Sequence, residues 1–257
     1  MSGFEGERIA KVIARAGICS RRDAERLIGE GRVKLNGAVM ASAAVNVTAR
    51  DKILVDGKPL PQKESTKLWR YHKPAGLVVS NHDPEGRPTV FEKLREQLPR
   101  VLSIGRLDIN TEGLLLLTND GELARFLELP ATGWIRRYRV RAYGHIDDAA
   151  LEKIANGVEI EGVKYGPIEA RVESGQGDNR WLTIAIREGK NREVKRICEY
   201  LGLQVNRLIR TSFGPFSLGD LARGGIEEVP IKVLKAAVGE KFFKGNDADR
   251  RRKIQRT

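Results

Sequence analysis

The sequence predicts an α+β protein in two parts, and three observations carry that expectation. Residues 1–61 hold two short helical patterns followed by a hairpin signal. From Leu68 onward, short β-like runs are interspersed with isolated helical patterns instead of alternating strictly with them, which argues against a doubly wound parallel sheet. No repeat period and no glycine-rich phosphate loop stands out along the 257 residues, so no nucleotide cofactor is expected.

The first helix follows from Ile9, Val12, Ile13 and Ala16 at helical spacing, with Gly17 as its stop. Ser20 and Asp23 have the spacing of a capping pair, Asp standing where Glu is commoner. The second helix turns Ala24, Leu27 and Ile28 inward, leaves Arg21, Arg22 and Arg26 outward, and ends at Gly31. Val33–Leu35, Asn36-Gly37 and residues 38–40 read as a hairpin with a type I′ turn, because Asn-Gly tolerates positive φ at both central positions. A further strand over 52–55 meets Asp56-Gly57. Pro59, Pro61 and the polar run 62–67 read as a linker. In the body, strands are expected over 68–71, 77–80, 101–104, 114–118, 138–143, 168–173 and 181–187. Helices are expected over 89–98, 121–129, 147–156, 191–201 and 231–238. The resulting division is a first module over 1–61, a linker over 62–67, a body over 68–240 and a basic tail over 241–257.

Composition narrows the partner. Lys and Arg outnumber Asp and Glu by 46 to 34, and the net charge of +12 divides into +4 for residues 1–61, +3 for 62–240 and +5 for 241–257. Basic ends around a nearly balanced body suit a polyanion, since clustered cations attract phosphates and release counterions. For the tail, a merely solubilising extension is the other reading. The longest apolar run, residues 113–117, is far too short to cross a bilayer, and MSGFEGERIA has no apolar core of a secretory signal. A cytoplasmic location is therefore expected. Cys19 and Cys198 make neither a disulfide framework nor a four-cysteine zinc site. With three histidines besides, no metal centre is expected.

The most informative run is SIGRLDINTEGLLLLTNDGEL. It reads as a strand ending at Leu107, Asp108 at that end, a loop through Thr111 and Gly113, and then an apolar strand. A strand end can present a carboxylate to a cleft. The same Asp is also a turn former, able to bond the Asn110 or Thr111 backbone. For the first module, a DNA-binding helix-turn-helix is an alternative, against which the second helix spans only about ten residues and runs straight into the hairpin.

AGICSRRDAERLIGEGRVKLNGAVM resembles the S4 RNA-binding domain. GRLDINTEGLLLLTNDG closely resembles the central motif of pseudouridine synthases, in the branch that joins an S4 domain to the catalytic domain. YHKPAGLVVSNHDPEGRPTVFEKL, with Lys73-Pro74-x-Gly76, is similar to that branch's leading motif, and REGKNREVKRICEYLG with VNRLIRTSFG to its last. The resemblance runs from Arg8 to about Val238. NHDPEGRPTVF and VNRLIRTSFGPF are most similar to the large-subunit rRNA members of the branch. It implies a small S4 domain built on an αα–β-hairpin core, followed by a catalytic domain with a mixed, largely antiparallel sheet. It further implies a bacterial, monomeric, cofactor-free and metal-free enzyme acting on 23S rRNA or a large-subunit assembly precursor.

The resemblance also assigns residues. It makes Asp108 the nucleophile, lays Tyr138 against the target base, pairs Lys195 with Asp108, and uses Arg106 to fill the gap left by a flipped base. Its RNA-facing residues are Arg21, Arg22, Arg26, Arg32, Lys34 and Asn36 in the first module, and Arg192 beside Lys195. The residues themselves permit milder readings. Tyr138 suits a strand packed on a sheet. Lys195 suits a solvated helix charge paired with Glu199, worth a few tenths of a kcal/mol. An RNA-binding assembly factor with an inactive body would share the module and the basic ends. Against it, Asp108, Tyr138 and Lys195 are all competent residue types.

Overall fold

The computed structural model describes residues 6–62, 64–146, 148–240 and 242–243. The start of the N-terminus read above for a secretory signal, and the basic tail apart from Phe242 and Phe243, lie outside the described residues.

In the first module β1 (Glu7–Arg8) pairs antiparallel with β4 (Asn46–Val47), and between them lie α1 (Ile9–Arg15), α2 (Arg21–Gly29), β2 (Val33–Leu35) and β3 (Ala38–Val39). The Ser20 hydroxyl caps α2 by accepting from the Asp23 backbone N–H at 3.0 Å; it also donates to the Asp23 carboxylate at 2.6 Å. The β2–β3 turn has positive φ at both Asn36 (51°) and Gly37 (91°), as its residue pair requires. Asp56 (49°) and Gly57 (77°) repeat that device between β5 (Ile53–Val55) and β6 (Lys58–Pro59), a second hairpin that the sequence reading ended too early. Ile9, Ile13, Ala24, Ile28 and Val33 form the small core, all fully buried.

The body is a nine-stranded sheet in the order β13-β14-β10-β15-β9-β7-β17, with β8 also on β9 and β16 also on β15. Its strands and helices follow one another as β7 (Leu68–Lys73), α3 (Val90–Leu94), β8 (Leu102–Ile104), β9 (Thr111–Thr118), α4 (Gly121–Glu128), β10 (Arg136–Tyr143) and α5 (Asp148–Ala155). Then come β11 (Val158–Ile160), β12 (Val163–Tyr165), β13 (Glu169–Gln176), β14 (Asn179–Ile186), α6 (Glu193–Tyr200), β15 (Gln204–Phe213), β16 (Phe216–Ser217), β17 (Ile226–Glu228) and α7 (Ile231–Val238). Every strand pair in this sheet is antiparallel except β9–β15, which is parallel. Period-2 alternation sorts the apolar residues. Trp69, Tyr71, Leu115, Leu117, Tyr138, Val140 and Leu208 share one face with α3, α5 and α6. Leu68, Leu114 and Leu116 share the other with α4 and α7.

Three expectations need correction. Residues 77–80 form no strand, only a single bridge between Val78 and Thr89. The chain turns there instead, and the Asp83 carboxylate accepts from the Arg87 guanidinium at 2.7 and 3.0 Å to close the loop. The strand expected to end at Leu107 stops at Ile104, so Asp108 stands in a loop; Thr111 and Gly113, read as loop, already belong to β9. The ten-residue β15 was missed as a strand, because QVNRLIRTSF shows no clean alternation and its pairing with β10 shifts register between Arg137/Tyr138 and between Arg141/Ala142.

The segment read as a linker carries no helix or strand among its described residues, and its end is fastened to the body. Thr66 donates to Asp120 at 2.6 Å, and the Lys67 N–H donates to Asn119 at 2.9 Å. Lys11 of α1 also reaches Glu122 of α4 at 2.9 Å. Among the described residues no helix is long and apolar enough to cross a membrane.

Gly113 is where β9 meets β15. Its φ is +102°, and a methyl group there would lie 2.7 Å from the Arg210 nitrogen and closer still to its carbonyl oxygen. Gly113→Ala is therefore expected to lower unfolding stability by about 3 kcal/mol. Urea denaturation checks this; a change below about 0.5 kcal/mol would mean the two strands yield freely.

Candidate active site

The loop over 105–110 is held from beneath by a buried charge. Lys73, at the end of β7, shares the inward parity of Trp69 and Tyr71 but is a cation with no exposure. Its Nζ donates to the carbonyls of Pro74 (3.0 Å), Asp108 (3.1 Å), Ile109 (3.0 Å) and Thr111 (2.9 Å). Burial pulls its pKa down to about 8 while the nearby Asp108 and Glu112 act to raise it, so it remains an ammonium at pH 7. The Thr111 N–H donates to the Asp108 backbone carbonyl at 3.0 Å, closing the turn through the main chain. The Asp108 side chain is thereby left to face outward from a fixed base.

Opposite stands α6. Its buried stripe of Val194, Ile197 and Cys198 sets the helix on the sheet and directs Lys195 toward the loop. Lys195 Nζ lies 3.5 Å from Asp108 Oδ2; the lysine side chain is 16% exposed and the carboxylate 36%, so the pair is sheltered yet open to a ligand. The alternative partner, Glu199, lies 3.9 Å from Arg192 instead. Tyr138, on β10, is 8% exposed and lines the same cleft, next to Leu208 and Arg210 of β15. Arg106 and Arg192 line it as exposed residues, the latter with φ 52° at the start of α6. The cleft encloses about 470 Å³, a volume that suits one nucleotide.

Further residues line this cleft without having been singled out in the sequence, among them Arg136, Arg210 and Glu193. The Arg136 guanidinium lies 4.7 Å and that of Arg210 5.4 Å from the centre of the Phe213 ring. Arg136 donates to the carbonyls of Trp134 (3.0 Å) and Arg187 (2.7 Å), and Arg210 to that of Leu114 (2.8 Å). Glu193 is 3% exposed, and its carboxylate accepts from the Lys190 N–H at 2.8 Å. Burial pushes its pKa up to about 7. A signal was present for Lys73 and Arg136, which occupy inward positions of alternating strands, where an apolar residue is the default; Arg210 had none, because β15 shows no clean alternation. Glu193 had no such signal, since it opens a helix where acidic residues are ordinary.

The RNA-facing residues assigned to the first module are not brought to this cleft. Arg32 is spent on a two-bond pair with Asp56 and on Glu30, and Arg26 lies 3.3 Å from Asp23. Asn36 braces its own hairpin through Asp51 and the Lys52 N–H. Arg21 lines a separate cleft of about 600 Å³ between the two parts. Arg22 and Lys34 are exposed.

Comparison with known proteins fits this layout. The family described as RNA pseudouridylate synthase matches residues 67–200, and the S4 domain matches residues 7–53. A Rickettsia felis protein named as an uncharacterized RNA pseudouridine synthase is 48% identical over 89% of this chain and 99% of its own length. Proteins named ribosomal large subunit pseudouridine synthase B are 44% identical in Pasteurella multocida, over 91% of this chain and 71% of theirs, and 43% in Yersinia pestis, over 89% and 74%. A crystal structure of a pseudouridylate synthase superposes with a TM-score of 0.63 at 28% identity, covering 90% of this chain and 99% of that one.

The raised pKa of Glu193 has a signed consequence. The folded protein holds that proton more tightly than the unfolded chain, so the associated stability is full below about pH 4.3 and is lost as pH rises through about 7. Glu193→Gln keeps an acceptor for the Lys190 N–H and removes the titration. The Tm drop between pH 5 and pH 8 is expected to be smaller in Glu193→Gln than in wild type; equal drops would show that this carboxyl is ionised at little cost.

Proposed function

We infer that this chain, which belongs to the RNA pseudouridylate synthase family and is an RNA pseudouridine synthase, acts on a uridine of 23S, large-subunit ribosomal RNA. The substrate assignment rests on the relatives named for the large subunit, over nine-tenths of the chain in one case. A bacterial cytoplasmic enzyme acting as a monomer accords with that substrate.

The observation that carries the mechanism is the Asp108–Lys195 pair beside Tyr138 in one nucleotide-sized cleft. Isomerising uridine exchanges the N1–C1′ bond for C5–C1′ with no net redox change, so the chemistry calls for no metal or redox cofactor. It calls for a carboxylate next to the sugar, and we assign that role to Asp108. A base inside a helix cannot reach such a cleft, so the nucleotide must flip out, at a cost of a few kcal/mol. Stacking on Tyr138 would return about 1–3 kcal/mol. Lys195, 3.5 Å from Asp108 Oδ2, limits the rotamers of that carboxylate and holds it toward the cleft. Arg106, at the mouth of the cleft, is suited to occupy the space that the flipped base vacates. Arg21, Arg22, Lys34 and Arg192 are the exposed cations we assign to the RNA backbone; Arg26, Arg32 and Asn36 serve the first module's own helix and hairpins.

The reading is tested by tritium release from C5-labelled uridine in 23S rRNA. Asp108→Asn is expected to abolish release while RNA affinity stays within a few-fold of wild type. Lys195→Met should slow release by at least about 100-fold, with Lys195→Arg recovering much of it. Wild-type release by Asp108→Asn would refute the assignment of the carboxylate.

A further inference from the structure

We propose that the face of the sheet turned away from Tyr138 is a second RNA-docking surface, one that takes the phosphate backbone of a double-helical rRNA segment separate from the one carrying the target uridine. The proposal rests on the RNA substrate inferred above.

Strand β10 alternates without exception: Arg136, Tyr138, Val140 and Ala142 are buried, while Arg137, Arg139, Arg141 and Tyr143 are exposed. Its exposed side is continued by the neighbouring strands. Arg141 stands opposite Arg207 of β15 and Trp181 of β14; Arg139 stands opposite Thr183, and Thr183 opposite Arg171 of β13. On this side α4 and α7 pack over Leu68, Leu114 and Leu116, on β7 and β9, and leave the arginine-bearing strands open to solvent.

The carboxylates present do not balance the patch. Glu112 is almost fully buried and engages both Arg207 (2.7 Å) and Arg223 (2.8 Å). Glu173 engages Arg139 at 2.8 Å and the Thr183 hydroxyl, and Glu169 is exposed at the edge strand. Arg137 and Arg141 have no side-chain hydrogen bond or ion pair among the described residues, and Arg171 adds a third exposed cation. Like charges set directly opposite on neighbouring strands cost stability, and Arg141 opposite Arg207 is such a pair. A polyanion would relieve that repulsion.

The chemistry of the surface selects among polyanions. Guanidinium groups match phosphate oxygens in paired, planar contacts. Arg137, Arg139 and Arg141 repeat at two-residue intervals, about 6.6 Å along a strand, comparable with the spacing of successive phosphates. Arg139 already lies over the Trp181 ring at 4.3 Å, which holds that guanidinium in place and covers the aromatic face that unpaired bases would stack on. Among the arginines the one aromatic face is thus covered, and the exposed Tyr143 stands beyond them at the end of β10; a run of phosphate contacts of this kind suits a duplex, which is recognised by backbone and shape.

The test compares the full-length protein with the double variant Arg137→Gln/Arg141→Gln on two probes: protein-free 23S rRNA transcript, and the shortest fragment of it from which the wild-type protein releases tritium. On the long transcript the variant should bind about tenfold more weakly at low salt, and its log K against log salt should be shallower by about 2. On the short fragment its affinity and its rate of tritium release should stay within about twofold, with an unchanged Tm. An unchanged slope on the long transcript would overturn the proposal. So would an equal loss on the short fragment, which would assign the arginines to the target helix itself. Failure of the wild-type protein to release tritium from any rRNA counts against the proposed function; the salt slope judges this surface separately.

Discussion

The close parallel approach of β9 and β15 at Gly113 is the constraint on which the cleft depends. Asp108 lies just before β9, Lys195 on the helix that leads into β15, and Tyr138 on β10, the other neighbour of β15. Three residues far apart in sequence converge because these three strands are adjacent, with β15 between the other two. Without a glycine at the contact, the backbones of β9 and β15 would be pushed apart. The loop holding Asp108 would then move relative to the helix holding Lys195, and a carboxylate displaced by even 1 Å from its reacting geometry loses much of its effect.

The interior around that contact is unusually cationic, and its charges are divided between structure and chemistry. Lys73 and Arg136 spend donors on backbone carbonyls, and Arg210 does so through Nε while its buried Nη2 is left without a partner among the described residues. An unpaired buried cation would be costly, so such contacts are what make these residues tolerable inside the sheet. Two of them also face the Phe213 ring, an arrangement worth about 0.5–2 kcal/mol each. Lys195 is different, because its nearest partner is a carboxylate that is still partly open to the cleft. The site thus keeps a preformed carboxylate–ammonium pair on a scaffold stiffened by other cations.

Much of this was legible in the sequence, and the losses have physical causes. The Ser20 cap, the Asn36-Gly37 turn and the apolar stripe of α6 are local signals and survive in the fold. The α+β class and, from the family resemblance, the mixed, largely antiparallel sheet also stand. Strand β15 was not legible, because a bulged strand facing both a cleft and a salt-bridged surface carries arginines on each side and shows no period. Residues 77–80 misled in the other direction: Val79 is buried as a strand residue would be, but its backbone turns instead of pairing. The cluster of first-module arginines read as a uniform RNA face, yet local carboxylates claim Arg26 and Arg32. A net charge shows that cations are present and does not show which of them are already paired.

The central claim, that this carboxylate-bearing cleft converts a uridine of the large-subunit RNA, is tested most directly by mapping pseudouridine at nucleotide resolution. Unmodified 23S and 16S transcripts would be incubated with the wild-type protein and then mapped. A new pseudouridine confined to 23S rRNA is the predicted result. No new pseudouridine in either RNA, or one found in 16S rRNA alone, would contradict it.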